Sequence, residues 1–206
     1  PVIEYGDAVL VLYLLILMTL AYVLGGFSAG SPLATIGAQR EMVTMMSYEL
    51  PLAAVIVGVA YRIHHADNIL RGFSLTTMVK TPVWSLVGPV GVVGLLLLLA
   101  VLIVVTPAEL AQIPFDTAVA ETELAGGLFT EYSGRNMAIF YLADAVKMVI
   151  MGTLIITIFF PYTLNDILGW YGYQLVLDES PWMFGSGVLE MIWFLVKLTV
   201  LIEIVV

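Results

Sequence analysis

The stretch VWSLVGPVGVVGLLLLLAVLIVV, residues 83–105, decides the fold class of this chain. It contains no charged residue and includes the unbroken run Leu95–Leu99, and about 20 apolar residues are enough for a helix to cross a bilayer. The rest of the chain has a similar character, because 61% of its 206 residues are hydrophobic and 11% are charged, with a mean hydropathy of +1.05. Soluble domains carry about 25% charged residues, so we expect an integral membrane protein.

Four further segments are long and apolar enough, or nearly so, to cross a membrane. Pro51 within one of them is tolerated in a membrane bundle, where neighbouring helices satisfy the carbonyl that it frees, and no segment shows the ten-residue alternation of a β-barrel strand. The sequence therefore predicts an all-α, multi-pass helical bundle of about five transmembrane helices in a single transmembrane domain, residues 1–206. The further segments are Asp7–Leu24, closed by Gly25 and Gly26, then Met42–Tyr61, Met137–Phe160, and Gly187 to at least Val206.

The two ends of the sequence predict an internal piece of a longer protein. The chain begins at Pro1, without an initiator Met, and it ends within the apolar run WFLVKLTVLIEIVV, residues 193–206. We therefore expect both ends to be incomplete.

The composition excludes several classes of site. The absence of Cys removes disulfides, thiolate metal sites and iron–sulfur clusters held by this chain. Only two His are present, adjacent at His64 and His65, which argues against a haem or a multi-His metal site. The net charge of −9 argues against nucleic acid or anionic lipid headgroups as the main partner.

Residues 106–136 form an acidic connection between the third and fourth predicted segments. Pro114 suits the first position of a helix, which would put Asp116 in the first turn and Glu123 on the same face, before the glycines at 126 and 127 end the helix. Two interpretations stay open: carboxylates that raise each other's pKa and pass protons, or a solvated acidic loop that docks a basic partner, which the spacing alone favours. The acids of this loop are Glu109, Asp116, Glu121, Glu123 and Glu131, against the single base Arg135.

Ionisable residues within the apolar segments are the other candidates, because charge inside a membrane is costly and often functional. Asp144 and Lys147 are three residues apart and can pair on one helix face, either as functional charges or as a neutralised pair needed only for insertion. Glu49 has no base near it in the sequence and precedes a Leu-Pro step, so a functional role is favoured there. The remaining charges of this kind are Glu190, Lys197 and Glu203.

Two motifs resemble those of a known membrane protein family. The first is the run PFD-x4-E-x-E-L-x-GG-x3-EYSG, residues 114–134, which an aromatic and apolar helix follows. The second extends from Ser31 through IGAQR at 36–40 to MSYE at 46–49, and it is similar to the pattern SxxxLxGAxRxxxQxxSYE. Together they resemble the membrane subunit shared by respiratory complex I, the NADH:quinone oxidoreductase, and by the energy-converting membrane-bound hydrogenases.

The resemblance implies an eight-helix protein in the plasma membrane of a prokaryote, of which this chain matches the third to seventh helices. It implies that the acidic loop faces the cytoplasm and packs on a peripheral redox arm, although the basic residues of the loops weakly favour the opposite side. It also implies a polar channel that joins the redox site to antiporter-like membrane subunits. The positions carried over are Glu49, Asp116, Glu121, Glu123 and Glu131, with Arg40 nearby and Asp144 in the place of an acid on the following helix.

Two departures from the family pattern bear on the branch. Quinone-reducing members usually carry an Arg shortly before the Pro of PFD, where this chain has Ala111-Gln112-Ile113, and they tend to read Leu-Ala-Glu-Tyr where it reads LADAVK at 142–147. The lysine, Lys147, is more similar to the hydrogenase-type relatives. We therefore expect a non-catalytic membrane subunit that couples electron transfer in a hydrogenase-type or related ferredoxin-driven arm to proton or sodium movement. The alternative is the quinone-site subunit of NADH:quinone oxidoreductase.

Cofactors are expected in partner subunits in either case. Iron–sulfur clusters, and a nickel–iron centre in a hydrogenase, would belong to the peripheral arm, and this chain would hold none. Two hypotheses from other classes stay open. An independent ion carrier would be expected to show discontinuous helix pairs or inverted repeats, which the sequence lacks, and a purely structural anchor would need none of the charged residues.

Overall fold

The computed structural model of the chain describes residues 6–67, 72–164, 166–167 and 183–205, and every regular element within these ranges is a helix. The prediction of an all-α architecture is therefore confirmed. The α-helices are α1 (Ala8–Ser28), α2 (Pro32–Asp67), α3 (Leu75–Lys80), α4 (Pro89–Glu109), α5 (Glu121–Leu124), α6 (Gly134–Phe159) and α7 (Met183–Val205), with short 3-10 helices at Val83–Leu86 and Gly127–Phe129.

Four helices of the described part are long and apolar enough to cross a membrane: α1, residues Pro32–His65 of α2, α4 and α6. Large apolar side chains on these helices are exposed, among them Tyr13 at 69% and Leu97 at 64%, as expected for surfaces that face lipid rather than water. The fifth predicted segment is also helical, as α7, and its described part carries Glu190, Lys197 and Glu203. The multi-pass prediction is confirmed.

The connection between α1 and α2 is much shorter than predicted. Gly25 and Gly26 were expected to end the first helix, but α1 continues through them to Ser28, and α2 starts at Pro32 instead of Met42. A Cβ at Gly26 would lie 2.8 Å from the Cβ of Ala38, so this glycine serves the close approach of two helices. The tight turn passes through Gly30, whose φ is +70°, a conformation that glycine adopts without strain.

Helix α2 is the longest element and connects the two sides of the bundle. Its 36 residues span about 54 Å at 1.5 Å per residue, well beyond the roughly 30 Å hydrocarbon core of a bilayer. The N-terminal part lies beside the acidic loop, because a Cβ at Gly37 would meet the backbone of Ala118 and Leu128. The early start of α2 makes Arg40 and Glu41 helical, whereas the sequence had placed them in a loop.

Helix α4 begins later than predicted. Residues Val83–Leu86 form a separate 3-10 helix, and α4 starts with Pro89 in its first turn, where the missing N–H of proline costs no hydrogen bond. The 3-10 segment is held from two sides, since Arg62 Nη2 donates to the carbonyl oxygen of Leu86 at 2.6 Å and Trp84 Nε1 donates to that of Phe159 at 2.7 Å.

The acidic loop is mostly turns, and the helix predicted from Pro114 is wrong. Asp116 opens a turn in which the Val119 N–H donates to its carbonyl oxygen at 3.2 Å, so Asp116 is not at a helix N-terminus and shares no helix face with Glu123. Between α4 and α6 the helical segments are the single α-helical turn Glu121–Leu124 and the 3-10 turn Gly127–Phe129. The helix ends just before Gly126 and Gly127, as expected. Close packing against α2 holds the segment in turns instead of a longer helix.

Two groups of buried residues support this arrangement. The larger one joins α1, α2, α4 and α6 and includes Leu52, Ile56, Met151 and Phe159. The smaller one lies under the acidic loop and joins it to the bundle: Tyr22, Val23, Ala38, Leu128 and Phe129.

Replacing Gly37 by Ala should detach the acidic loop from α2. The new Cβ would lie 2.6 Å from the Leu128 backbone nitrogen and 2.7 Å from the Ala118 carbonyl oxygen, and backbone atoms cannot turn aside as a side chain can. We expect a cost of about 1–3 kcal/mol and faster proteolysis within residues 112–133, measured on membranes. Gly94→Ala is the matched control, because nothing lies within 4 Å of that position. Equal proteolysis of the two variants would contradict this packing.

Candidate functional site: a buried charge cluster beneath the acidic loop

A buried ion pair lies at the centre of the site. Lys147 Nζ, on α6, is 3.1 Å from Glu109 Oε1 at the end of α4, and the two side chains are only 3% and 4% exposed. Lys147 also donates to the hydroxyl oxygen of Thr19 on α1 at 3.1 Å. Because an unpaired charge in a low-dielectric interior is very costly, these contacts tie three transmembrane helices to one point.

Asp144 has a partner of its own. The Tyr22 hydroxyl donates to Asp144 Oδ1 at 2.7 Å, and edge-on contacts with Phe129 and Phe140 hold the ring of Tyr22 beneath the loop. The sequence had suggested that Asp144 and Lys147 pair on one helix face. Their spacing allows it, but each side chain has a partner on another helix. Asp144 accepts a hydrogen bond from Tyr22 on α1 at 2.7 Å, and Lys147 pairs with Glu109 on α4 at 3.1 Å.

Helix α2 also contributes residues to the cluster, beside those of α1, α4 and α6. Glu41 is 6% exposed and Tyr48 is 5% exposed, and the Glu41 carboxylate interacts electrostatically with both Lys147 and Asp144. The Tyr48 hydroxyl is buried without a hydrogen-bond partner among the described residues. Glu49, the next residue, is half-buried and interacts electrostatically with Glu109. The cluster therefore holds several acids against one lysine.

A polar cavity of about 670 Å³ joins this cluster to the acidic loop. At the loop end its wall includes Gln112, Asp116 and Thr122. At the inner end it reaches the half-buried Asp144 and three buried charged residues: Glu41, Glu109 and Lys147. Asp116 is half-buried, so the cavity has ionisable groups at both of its ends.

Arg40 and Glu123 form an ion pair at the surface of the same region. Arg40 Nη1 lies 2.8 Å from Glu123 Oε2 and 3.4 Å from the Thr117 carbonyl oxygen. The two side chains are 39% and 63% exposed, and exposed pairs of this kind contribute about 0–1 kcal/mol. The pair connects α2 to the acidic loop without lining the cavity.

The eight predicted site residues fall into separate groups. Asp116, Asp144 and Lys147 line one cavity, Arg40 pairs with Glu123 outside it, and Glu131 is exposed. Glu49 lies beside the cluster, and Glu121 begins α5, its side chain being outside the described part of the structure. Their roles in ion movement stay predictions.

The sequence analysis missed five residues of the cluster. Glu109 counts as a loop residue in the sequence, because the third predicted segment ends at Val105, whereas α4 continues to Glu109. Glu41 and Tyr48 are seven residues apart and share a face of α2, a signal that was available had the helix been extended to Pro32. The polar side chains of α1 carried no signal of their own: Thr19 and Tyr22.

Comparison with known proteins identifies the family. The family model described as NADH dehydrogenase matches residues 2–206 of this chain. The chain belongs to the NADH dehydrogenase family. It is therefore a membrane component of the complex I superfamily, as the two motifs predicted.

Individual members of the NADH dehydrogenase family are similar over most of this chain. The H 2 subunit of the NADH-quinone oxidoreductase of Rhizobium meliloti (strain 1021) is 33% identical over 163 residues, which cover 78% of this chain and 43% of the relative. The H 2 subunit from Syntrophobacter fumaroxidans is 34% identical, with 82% and 46% covered, and the H subunit from Brevibacillus brevis is 33% identical, with 88% and 46% covered. The chain spans less than half the length of these relatives. All three names refer to quinone oxidoreductases, and none names a hydrogenase.

Replacing Lys147 by Met should destabilise the bundle strongly. It leaves Glu109 buried and unpaired, which costs about 3–5 kcal/mol. The double variant Lys147→Met/Glu109→Gln should recover most of this loss, because it leaves neither member of the pair as an unpaired buried charge. Thermal unfolding of the purified protein in detergent measures both. Lys80→Met, at an exposed lysine, is the control, and a Lys147→Met protein as stable as that control would refute the central role of the pair.

Proposed function

We propose that this chain is part of the H subunit of an NADH-quinone oxidoreductase in a prokaryotic plasma membrane, where it couples electron transfer in a peripheral arm to charge movement in the membrane. The observation that carries the proposal is the polar cavity that joins Asp116 in the acidic loop to the buried pair of Glu109 and Lys147. The names of the relatives support the quinone branch.

The cluster suits the coupling of protonation states. Glu41, Glu109 and Asp144 surround one ammonium group in a poorly hydrated interior, where charges interact far more strongly than in water. Protonation of one carboxylate therefore changes the proton affinity of the others, and the group titrates as a unit. A change of charge at the loop end of the cavity is felt at the inner end through these interactions.

The exposed residues of the loop suit a different task. Glu123 and Glu131 face outwards, where carboxylates can meet basic residues of a peripheral subunit. In this proposal the peripheral arm carries the iron–sulfur clusters, and the chain itself performs no redox step. Antiporter-like membrane subunits would receive the charge signal on the other side of the cluster.

A hydrogenase-type arm is the second candidate, on one specific observation. Lys147 is buried at the centre of the cluster, at a position where its motif departs from the quinone-reducing pattern, and Ala111-Gln112-Ile113 supplies no arginine before Pro114. In that case the arm would hold a nickel–iron centre, and the same cavity would respond to it.

Removing buried carboxylates should uncouple the complex while electron transfer continues. Glu109→Gln and Asp144→Asn replace ionisable groups by amides of similar size, so we expect proton or sodium uptake per electron to fall about tenfold in inverted membrane vesicles. Glu49→Gln should act in the same direction through Glu109. Glu131→Gln is the control, because that side chain is exposed. Full coupling in Glu109→Gln and Asp144→Asn would rule the proposal out.

Assays of the purified complex should show NADH:quinone reductase activity. The complex would be isolated through a tag on this chain, and NADH:quinone activity, hydrogen evolution and sulfur reduction would be measured side by side with the nickel content. Quinone reduction without nickel supports the proposal. Hydrogen evolution with stoichiometric nickel would contradict the proposal and assign the chain to the hydrogenase branch.

A further inference from the structure

Tyr22 on α1 places one hydroxyl group between two hydrogen-bond acceptors of α6. Its oxygen lies 2.7 Å from Asp144 Oδ1 and 3.2 Å from the carbonyl oxygen of Phe140. Phe140 precedes Asp144 by four residues, about one turn of helix, so the two acceptors lie at adjacent levels of α6. A phenol has a single O–H, which can donate to one of these acceptors at a time.

The ring of Tyr22 is held between the acidic loop and α6. Its centroid lies 6.2 Å from that of Phe129, in the 3-10 turn of the loop, and 5.5 Å from that of Phe140, with edge-on geometry in both contacts. Tyr22 is also buried, at 8% exposure. With the ring fixed in this way, the hydroxyl hydrogen can change its acceptor by rotation about the C–O bond, without movement of a helix.

Two charged residues, Lys147 and Glu41, act on Asp144 at the same time. Both interact with it electrostatically, Lys147 from the next turn of α6 and Glu41 from α2. The ammonium of Lys147 is paired with Glu109, at 3.1 Å. Tyr22 is therefore the neighbour that bonds directly to the Asp144 carboxylate without giving up an ion pair.

The two acceptors of Tyr22 suit the two protonation states of Asp144. An ionised carboxylate accepts the O–H of Tyr22, and a hydrogen bond to a charged group is stronger than one to a neutral carbonyl. A protonated carboxyl group has an O–H of its own, which can donate to the Tyr22 oxygen while the Tyr22 O–H turns to the carbonyl of Phe140. Every polar group of this set then has a partner in both states, so a change of protonation leaves no buried donor unpaired.

We propose that Tyr22 is a positioning residue for Asp144, whose hydroxyl donates to Oδ1 of the ionised carboxylate and turns to the carbonyl oxygen of Phe140 when Asp144 is protonated. The proton that Asp144 gains or loses passes through the polar cavity, which both side chains line, and Tyr22 keeps its own proton throughout. This role rests on the proposed function, in which Asp144 changes its protonation state.

Tyr22→Phe in the intact complex tests this role, because it removes the hydroxyl and keeps the ring that packs against Phe129 and Phe140. We expect ion uptake per electron in inverted membrane vesicles to fall about tenfold, the change that the loss of one hydrogen bond to a charged group makes in an equilibrium constant, while electron transfer continues. Tyr13→Phe is the matched control, since it makes the same chemical change at an exposed position of α1. In the double variant Tyr22→Phe/Asp144→Asn, uptake should equal that of Asp144→Asn alone, because Tyr22 acts through Asp144.

Infrared difference spectra between the oxidised and reduced complex supply a readout that packing alone does not change. The C=O stretching band that Asp144→Asn removes belongs to protonated Asp144. Tyr22→Phe should shift this band to higher frequency, because the carboxyl group loses a hydrogen-bond partner, and Tyr13→Phe should leave it in place.

Three results would each overturn the role of Tyr22: ion uptake in Tyr22→Phe equal to that of Tyr13→Phe, an Asp144 band that Tyr22→Phe leaves unshifted, or a further loss of uptake when Tyr22→Phe is added to Asp144→Asn. Asp144→Asn separates this failure from a failure of the proposed function. If Asp144→Asn loses coupling and Tyr22→Phe has no effect, the role of Tyr22 alone is wrong. If Asp144→Asn keeps full coupling or removes no band, the proposed function fails together with the role of Tyr22.

Discussion

The buried pair of Lys147 and Glu109 is the interaction on which the rest of the structure depends. Neither charge can remain alone between apolar helices, so α4 and α6 must keep their relative position as long as both are ionised. Thr19 adds α1 through a further hydrogen bond at 3.1 Å. Because Glu109 is also the last residue of α4, the same pair determines where the acidic loop leaves the bundle.

The charges of the site form two sets that differ in strength. The inner set is buried, and a change in any member is costly unless the others respond. The outer pair of Arg40 and Glu123 is exposed, so it can open and close at little cost. The outer ion pair can therefore rearrange when the loop contacts a partner, while the buried pair of Lys147 and Glu109 keeps its geometry.

Much of the architecture could be predicted from the sequence, because the transmembrane segments are uniformly apolar over about 20 residues. The helix ends were less accessible. Hydropathy places charged residues outside the membrane, so the sequence assigns Arg40 and Glu41 to a loop. In the structure they lie within α2, which begins at Pro32. The pairing of Asp144 with Lys147 failed for a related reason: local spacing shows which side chains can meet, but the partners that bind them, Tyr22 and Glu109, lie on other helices.

The acidic loop shows the limits of local rules in another way. Pro114 and the acids that follow it match the pattern of a helix N-terminus, and an isolated peptide of this sequence would have that preference. The loop instead folds over Gly37 and the core around Leu128. The sequence identifies Gly126 and Gly127 as the end of a helix. It does not show that the backbone at Gly127 packs against Gly37 of α2.

Pro51 divides α2 in a way that concerns both sets of charges. A proline in a helix interior lacks the N–H that would bind the carbonyl oxygen of Ser47, and it is the usual position of a bend. Arg40 and Glu41 precede it, whereas Leu52, Ile56 and Val59 of the larger core follow it. Bending of α2 at Pro51 would therefore move Arg40, with its ion pair to Glu123, and the buried Glu41 together, relative to the residues that follow the proline.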